Sequence, residues 1–206
     1  DSFERTFTIT VNPIADTPSI TDAETYEDIM SDSGLCISRN VVDGDEVSHF
    51  KITDIENGIL YQNDGVTQIN DSEFFEYDED TENNNCLKFD SAENYFGDGF
   101  VTIQAAVCES QQCLGGDQVI ATVTVNSVND QPSFEDTDVE VDEDSGLHVA
   151  SWAFNISVGP ENESDQTATF TVIDNTSPSL LSADPIISEF GVLTFTPADD
   201  QHGATD

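Results

Sequence analysis

The chain copies itself at domain length. Thr8-Ile9-Thr10-Val11-Asn12-Pro13-Ile14-Ala15-Asp16-Thr17-Pro18 returns as Thr122-Val123-Thr124-Val125-Asn126-Ser127-Val128-Asn129-Asp130-Gln131-Pro132, at a constant offset of 114 from Thr10 onward. Each copy is followed by Glu-Asp and then Asp-Ser-Gly-Leu: Glu27-Asp28 with Asp32–Leu35, and Glu143-Asp144 running into Ser145–Leu147. A third echo pairs Leu87-Lys88-Phe89, Asn94 and Gly97 with Leu193-Thr194-Phe195, Asp200 and Gly203, at an offset of 106. Repetition at this period implies a linear array of similar modules, a rod or stalk more than an enzyme built around one cleft.

The alternation of side chains says what the modules are made of. Phe7, Ile9 and Val11 alternate with Thr6, Thr8 and Thr10, and Ala121, Val123 and Val125 repeat the pattern. Period two is the mark of a half-buried strand, and the Asn-x-x-Ala/Asn-Asp-x-Pro that follows each copy ends it. Residues 1–15 then read as the final strand of a preceding module, 16–129 as a complete module, and 130–206 as a second module without its last strands. Strands are expected at Ser19–Tyr26, Gly34–Val41, Val47–Asp54, Ile59–Gln62, Glu73–Tyr77, Cys86–Phe89, Gly99–Val107 and Gln118–Asn126. In the second module Asp136, Asp138, Glu140 and Asp142 alternate with Thr137, Val139 and Val141, which predicts an edge strand with one carboxylate face. No segment keeps a helical period, so the fold class is all-β, a series of sandwiches.

Forty-three acidic residues against four basic ones give a formal net charge of −39. That field repels nucleic acid and anionic membrane, and it requires bound cations or a salty medium to offset self-repulsion. No apolar run reaches the roughly 20 residues of a membrane span, so direct membrane insertion is not expected. With neither an initiator methionine nor a signal peptide, the chain reads as an excerpt of something longer. Four cysteines and four Asn-x-Ser/Thr sequons, at Asn70, Asn155, Asn162 and Asn175, point to an oxidising exterior and a glycoprotein, extracellular, on the cell surface or in a secreted appendage. Four cysteines allow three connectivities, and spacing leaves all three open. Catalytic motifs do not emerge: His49, His148 and His202 are isolated, and no zinc-protease helix, nucleophile elbow or phosphate loop is present. The run Asp78-Glu79-Asp80-Thr81-Glu82 starts like an EF-hand, but Asn83 and Phe89 stand where that loop needs Gly and Glu.

Thr-Val-Asn-x-Val-Asn-Asp-x-Pro followed by Asp-Glu-Asp-Ser-Gly resembles the cadherin-like tandem repeats of large surface adhesins. The stretch from Trp152 to Ser164, with Leu193-Thr194-Phe195-Thr196-Pro197-Ala198, is similar to a recurrent form of that repeat. The resemblance spans essentially the whole chain and implies Ig/cadherin-like Greek-key sandwiches with Ca²⁺ held between them. For the junction at Asn129-Asp130 it implies Glu27, Asp28, Asn94 and Asp98 from the upstream module, with Glu161 and Asp165 from the downstream one. For the junction at Asp16 it implies Asp43, Asp45 and Asp117, with a weaker site because Ala15 replaces the expected Asn. Asp142, Glu143, Asp144, Asp199 and Asp200 would face a further module. It also implies a Cys36–Cys86 pair between neighbouring strands, since both are absent from the second copy, where His148 and Val192 align. Cys108–Cys113 would then staple a hairpin.

The function expected is an adhesive or structural rod whose partners are neighbouring modules of the same chain or a surface ligand. Three alternatives accompany it. One is a filament subunit, in which the incomplete second module accepts residues 1–15 of another copy. Another is a carbohydrate- or protein-binding module using Trp152 and the tyrosines, and the third is an enzyme fragment.

Overall fold

A computed structural model describes residues 3–78 and 85–206. The chain separates into two compact units, Asp1–Val128 and Asn129–Asp206. It is all-β, with three short 3₁₀ turns as its helical content among the described residues.

In unit 1 a five-stranded sheet carries β2 (Ala23–Tyr26), β10 (Leu114–Asn126), β9 (Gly97–Ala106), β4 (His49–Glu56) and β7 (Phe74–Glu76), in that order. A three-stranded sheet holds β6 (Gln68–Ile69), β5 (Gly58–Tyr61) and β8 (Lys88–Ser91). Between them lies one apolar cluster: Phe50, Ile52, Val101, Ile103, Ala121 and Val123 from the first sheet meet Leu60, Ile69 and Phe89 from the second. Alternation produces this directly, because residues two apart in a strand share a face. Val101, Ile103 and Ala105 are fully buried, while Thr102 and Gln104 are half-exposed.

The eight expected strands are all present, with two differences. The first is broken at Thr21–Asp22. β1 (Ser19–Ile20) pairs with β3 (Ile37–Ser38), and the chain then crosses to the other sheet, where β2 runs parallel to β10. The crossing is pinned by side chains: Asp22 Oδ1 accepts the Thr122 N–H at 2.8 Å and Thr21 Oγ1 accepts the Cys36 N–H at 2.9 Å. The second difference is β6, a two-residue strand too short to leave a period. Both disulfides form, Cys36–Cys86 and Cys108–Cys113. They fit an oxidising, extracellular-type environment. No helix among the described residues is long and apolar enough to cross a membrane.

Unit 2 repeats part of this plan. β11 (Ser133–Glu135) pairs with β13 (Phe154–Ser157), and β12 (His148–Ser151), β15 (Val192–Phe195) and β14 (Ile186–Ile187) form a three-stranded sheet. The edge strand expected across Asp136–Asp142 is not formed. Its counterpart β2 is held by the ladder of β10, and unit 2 contains no residues equivalent to β10. Residues 6–11, expected as a strand, likewise form none within the described chain. Both are strands by sequence that lack the neighbour a strand requires.

The energetic result is unequal. Ala153 is the single buried hydrophobic residue of unit 2, whose apolar groups otherwise keep contact with water. Burial of each large side chain contributes about 1.5–3 kcal/mol, so unit 1 holds most of the driving force. The chain's one tryptophan, Trp152, lies in unit 2, and all four tyrosines lie in unit 1. Urea should therefore unfold the protein in two steps, with the Trp152 fluorescence transition preceding the tyrosine near-UV signal; coincident transitions would contradict this division. Replacing Cys36 and Cys86 with Ala should lower unit 1 stability by about 4 kcal/mol, and replacing Cys108 and Cys113 by about 2, following the lengths of the closed loops. The tyrosine-monitored urea midpoint measures both.

Candidate cation-binding loops

Four of the acidic residues singled out by the repeat, Glu27, Asp28, Asp43 and Asp144, hold main-chain N–H groups. At the start of unit 1 the Asp16 N–H donates to both carboxylate oxygens of Asp43, at 3.3 and 3.1 Å. Asp117 donates its N–H to Thr17 Oγ1 at 2.8 Å, and Ala15 is buried in the core. The linker can lie this close to β10 because Gly116 has no side chain; a Cβ there would meet the Thr17 nitrogen at 2.3 Å. Asp45 turns away, to Arg39 at 3.7 Å.

After β10, the buried carboxylate of Glu27 takes the Val128 N–H at 2.7 Å. Asp28 Oδ1 takes the Asn94 N–H at 3.1 Å. Asp98 is anchored through its carbonyl, which accepts from Tyr95 Oη and Asn57 Nδ2, and its carboxylate is left exposed.

Unit 2 reproduces both devices. Asp144 Oδ1 accepts the Asp200 N–H at 3.0 Å, as Asp28 does from Asn94. The backbone matches too: φ is 60° and 61° at Asp28 and Asp144, and 54° at both Asn94 and Asp200. Asp130 donates its N–H to Glu163 Oε1 at 3.0 Å, as Asp16 does to Asp43. Asn129 Nδ2 donates to the Asp130 carbonyl at 2.9 Å. Glu143 lies 3.7 Å from His202. Asp142, Glu161, Asp165 and Asp199 are exposed.

Glu163 was not among the residues picked from sequence, although it is the buried one of its loop. An offset of 120, which carries Phe50 to Phe170 and Ile52 to Val172, also carries Asp43 to Glu163 and would have found it. Its side chain is 7% exposed, and Oε2 is enclosed without a hydrogen-bond partner among the described residues. Gly159 makes the room, since a Cβ at that position would stand 1.9 Å from Oε2. A buried carboxylate oxygen lacking a donor is costly, and a bound cation is one way to offset that cost. The hard oxygens of Asp and Glu suit Ca²⁺ or Mg²⁺ over softer metals. Among the described residues no three His, Cys, Asp or Glu side chains form a ready-made cluster, so an ion here would draw on Glu163, Asp130 and main-chain oxygens. Most of the Asp78–Asn83 run lies outside the described residues.

Other expected features fall as follows. Asn70, Asn155 and Asn162 are exposed, and Asn175 is half-buried, its Oδ1 accepting from Ser177 N–H and Thr205 Oγ1. Trp152 packs with Phe134 and Phe170 in an aromatic trio, and Tyr77 packs against Phe50 and beneath Arg39.

Titration differs within one loop. Desolvation pushes the Asp43 carboxyl above the usual range, the Asp16 N–H opposes this, and the charges of Asp16 and Glu46 push it further up. Glu46 is held below its usual range by the Gly44 N–H. A raised carboxyl pKa means the folded state holds its proton longer than the unfolded one. Stability from that source is present below the unfolded value near 3.9 and is lost as pH rises through the folded value. In chelator, Asp43→Asn, which keeps an acceptor for Asp16, should therefore raise the unit 1 melting temperature at pH 7. The difference should vanish below about pH 3.5 in calorimetric scans. A variant less stable than wild type at pH 7 without cations would refute this balance.

No protein-family model matches the chain, and no curated protein sequence matches it.

Proposed function

We propose that the chain is a segment of an extracellular structural or adhesive rod, built from tandem cadherin-like sandwiches whose linkers are stiffened by Ca²⁺. The observation that carries this reading is the recurrence of one linker device in both units: a loop carboxylate gripping the linker N–H, Asp43 on Asp16 and Glu163 on Asp130. The finer fold assignment, a Greek-key sandwich of the Ig or cadherin kind, is supported by a first strand that divides between two sheets and then runs parallel to the last.

Glu163, Asp130 and Asn129, all of unit 2, would hold the ion at the second linker. Ca²⁺ supplies positive charge to a chain of formal charge −39 and binds six to eight oxygens at once. The carboxylates prepare for it by orienting the linker backbone through charge-assisted hydrogen bonds, so less order remains to be imposed on binding. At the first linker Ala15 is packed into the core and offers no side-chain oxygen, consistent with the weaker site expected there.

Titration calorimetry of the whole chain with Ca²⁺ tests this. Saturable binding is expected, with a Trp152-monitored stability gain of about 2.7 kcal/mol at one hundred times the dissociation constant. Glu163→Gln should weaken binding at least tenfold while Gln201→Ala leaves it unchanged. Absence of binding at millimolar Ca²⁺ would remove the cation from the proposal and leave a rod of disulfide-held modules.

A further inference from the structure

We propose that unit 1 is a force-bearing module: tension along the chain meets a shear clamp between its first segment and its last strand, and the Cys36–Cys86 disulfide limits how far the module lengthens once that clamp opens. This rests on the rod reading for the source of the tension; the clamp itself lies wholly within unit 1 and needs no Ca²⁺.

The course of the chain sets the path of the force. Residues on both sides of Ala15–Val128 belong to this same chain, so a pull along it enters unit 1 near Ala15 and leaves near Val128. Between those points the first segment runs beside β10 in the same direction, at a constant offset of 100 residues. Asp117 donates its N–H to Thr17 Oγ1, Thr122 donates its N–H to Asp22 Oδ1, and Ala23–Tyr26 pair in parallel with Val123–Asn126. Both ends of the contact are fixed as well. Ala15 is buried beside Gly115, where a Cβ would collide with the Ala15 carbonyl, and Glu27 Oε1 takes the Val128 N–H at 2.7 Å. Entry and exit therefore lie at opposite ends of the last strand, about 40 Å apart at ~3.3 Å per residue.

Direction then decides strength. The first segment is drawn toward its N-terminus and β10 toward its C-terminus, so the two must slide past each other lengthwise. Every hydrogen bond between them is strained together, and none opens ahead of the rest. With entry and exit at one end, the same bonds would open one after another, and each contributes little by itself. Side chains add rungs to the ladder: Asp22 on Thr122, and Glu24 Oε1 on Asn126 Nδ2 at 2.8 Å.

The stop is covalent. Cys36 and Cys86 are bridge partners on neighbouring strands, and their disulfide spans 50 residues of sequence. While the bond is intact those residues cannot join the extended chain, which shortens full extension by about 170 Å at ~3.4 Å per residue. They include β4, β5, β6 and β7, and with them Phe50, Ile52, Leu60 and Ile69 of the core. These strands stay off the path of the force, and the closed loop lowers the entropy cost of refolding when tension is released.

Force spectroscopy on the whole chain tests this, with handles at its two ends and chelator present, so that failure of the Ca²⁺ reading leaves the result untouched. A dithiol reductant identifies the unit 1 event. After the clamp opens, cleavage of Cys36–Cys86 to two thiols, with the reductant closing to its own disulfide, should release a further step of about 170 Å. The force opening unit 1 reports the barrier to unfolding. It should be at least twice that needed when the second handle is moved to an azide-bearing residue at Gln111, which is exposed, lies at the Ala15 end of β10 and peels the contact bond by bond. Asp22→Ala should lower the force between terminal handles. Asp64→Ala, which loosens the β5–β6 turn inside the disulfide loop, should leave it unchanged. Equal forces in the two geometries, or equal losses from Asp22→Ala and Asp64→Ala, would overturn the clamp, and absence of the reductant-dependent step would overturn the stop.

Discussion

The ladder of β10 is the constraint on which the rest of this structure depends. It is the longest strand, it lies between β2 and β9, and it commits the protein to a sheet that closes over the core. From it follow the parallel course of β2, the position of Glu27 just beyond that strand, and the buried Ala121, Val123 and Val125. Unit 2 pairs its strands in two short sheets and has Ala153 as its one buried hydrophobic residue. A sandwich gains its stability from two broad sheets facing each other, and the two short sheets of unit 2 bury little between them.

Acidity plays a local structural part beyond its global one. Asp22, Glu27, Asp28, Asp43, Asp144 and Glu163 each accept a main-chain N–H at a turn or linker. A hydrogen bond accepted by a carboxylate is shorter and stronger than one accepted by a neutral oxygen, and the group keeps its charge while accepting it. The same residue can therefore shape a loop and present charge to a cation, which reconciles a formal charge of −39 with an ordered backbone. At Asp43 desolvation and the neighbouring charges of Asp16 and Glu46 outweigh the Asp16 N–H and raise the carboxyl pKa.

Much of this was legible in the sequence, and the failures have physical causes. Alternation located every main strand of unit 1 because each buries one face, and the absence of both Cys36 and Cys86 from the second copy agreed with their pairing. Alternation could not show the break at Thr21–Asp22, since a strand that changes sheets keeps its period while changing its neighbour. It also predicted strands at 6–11 and 136–142, where the period is intact and the ladder is missing. Glu163 escaped because the acids around it, Glu161 and Asp165, have the same composition; only alignment through Phe50 and Phe170 separates the buried one from the exposed ones.

Identical segments with opposite burial make the general point. Thr8–Val11 and Thr122–Val125 differ by one methylene, Ile9 against Val123, yet one is bare and the other is core. Hydrophobic patterning marks a segment as a strand, and in unit 1 the pairing of β10 with β2 is pinned by Asp22 and Glu24, which grip the backbone at Thr122 and the side chain of Asn126. In a tandem array every module carries the same patterning. What keeps each strand with its own module is then proximity along the chain, a loop-closure advantage that grows weaker as the connection lengthens. The loop carboxylates that grip the linker backbone, Asp43 at Asp16 and Glu163 at Asp130, hold those connections in place and so preserve that advantage.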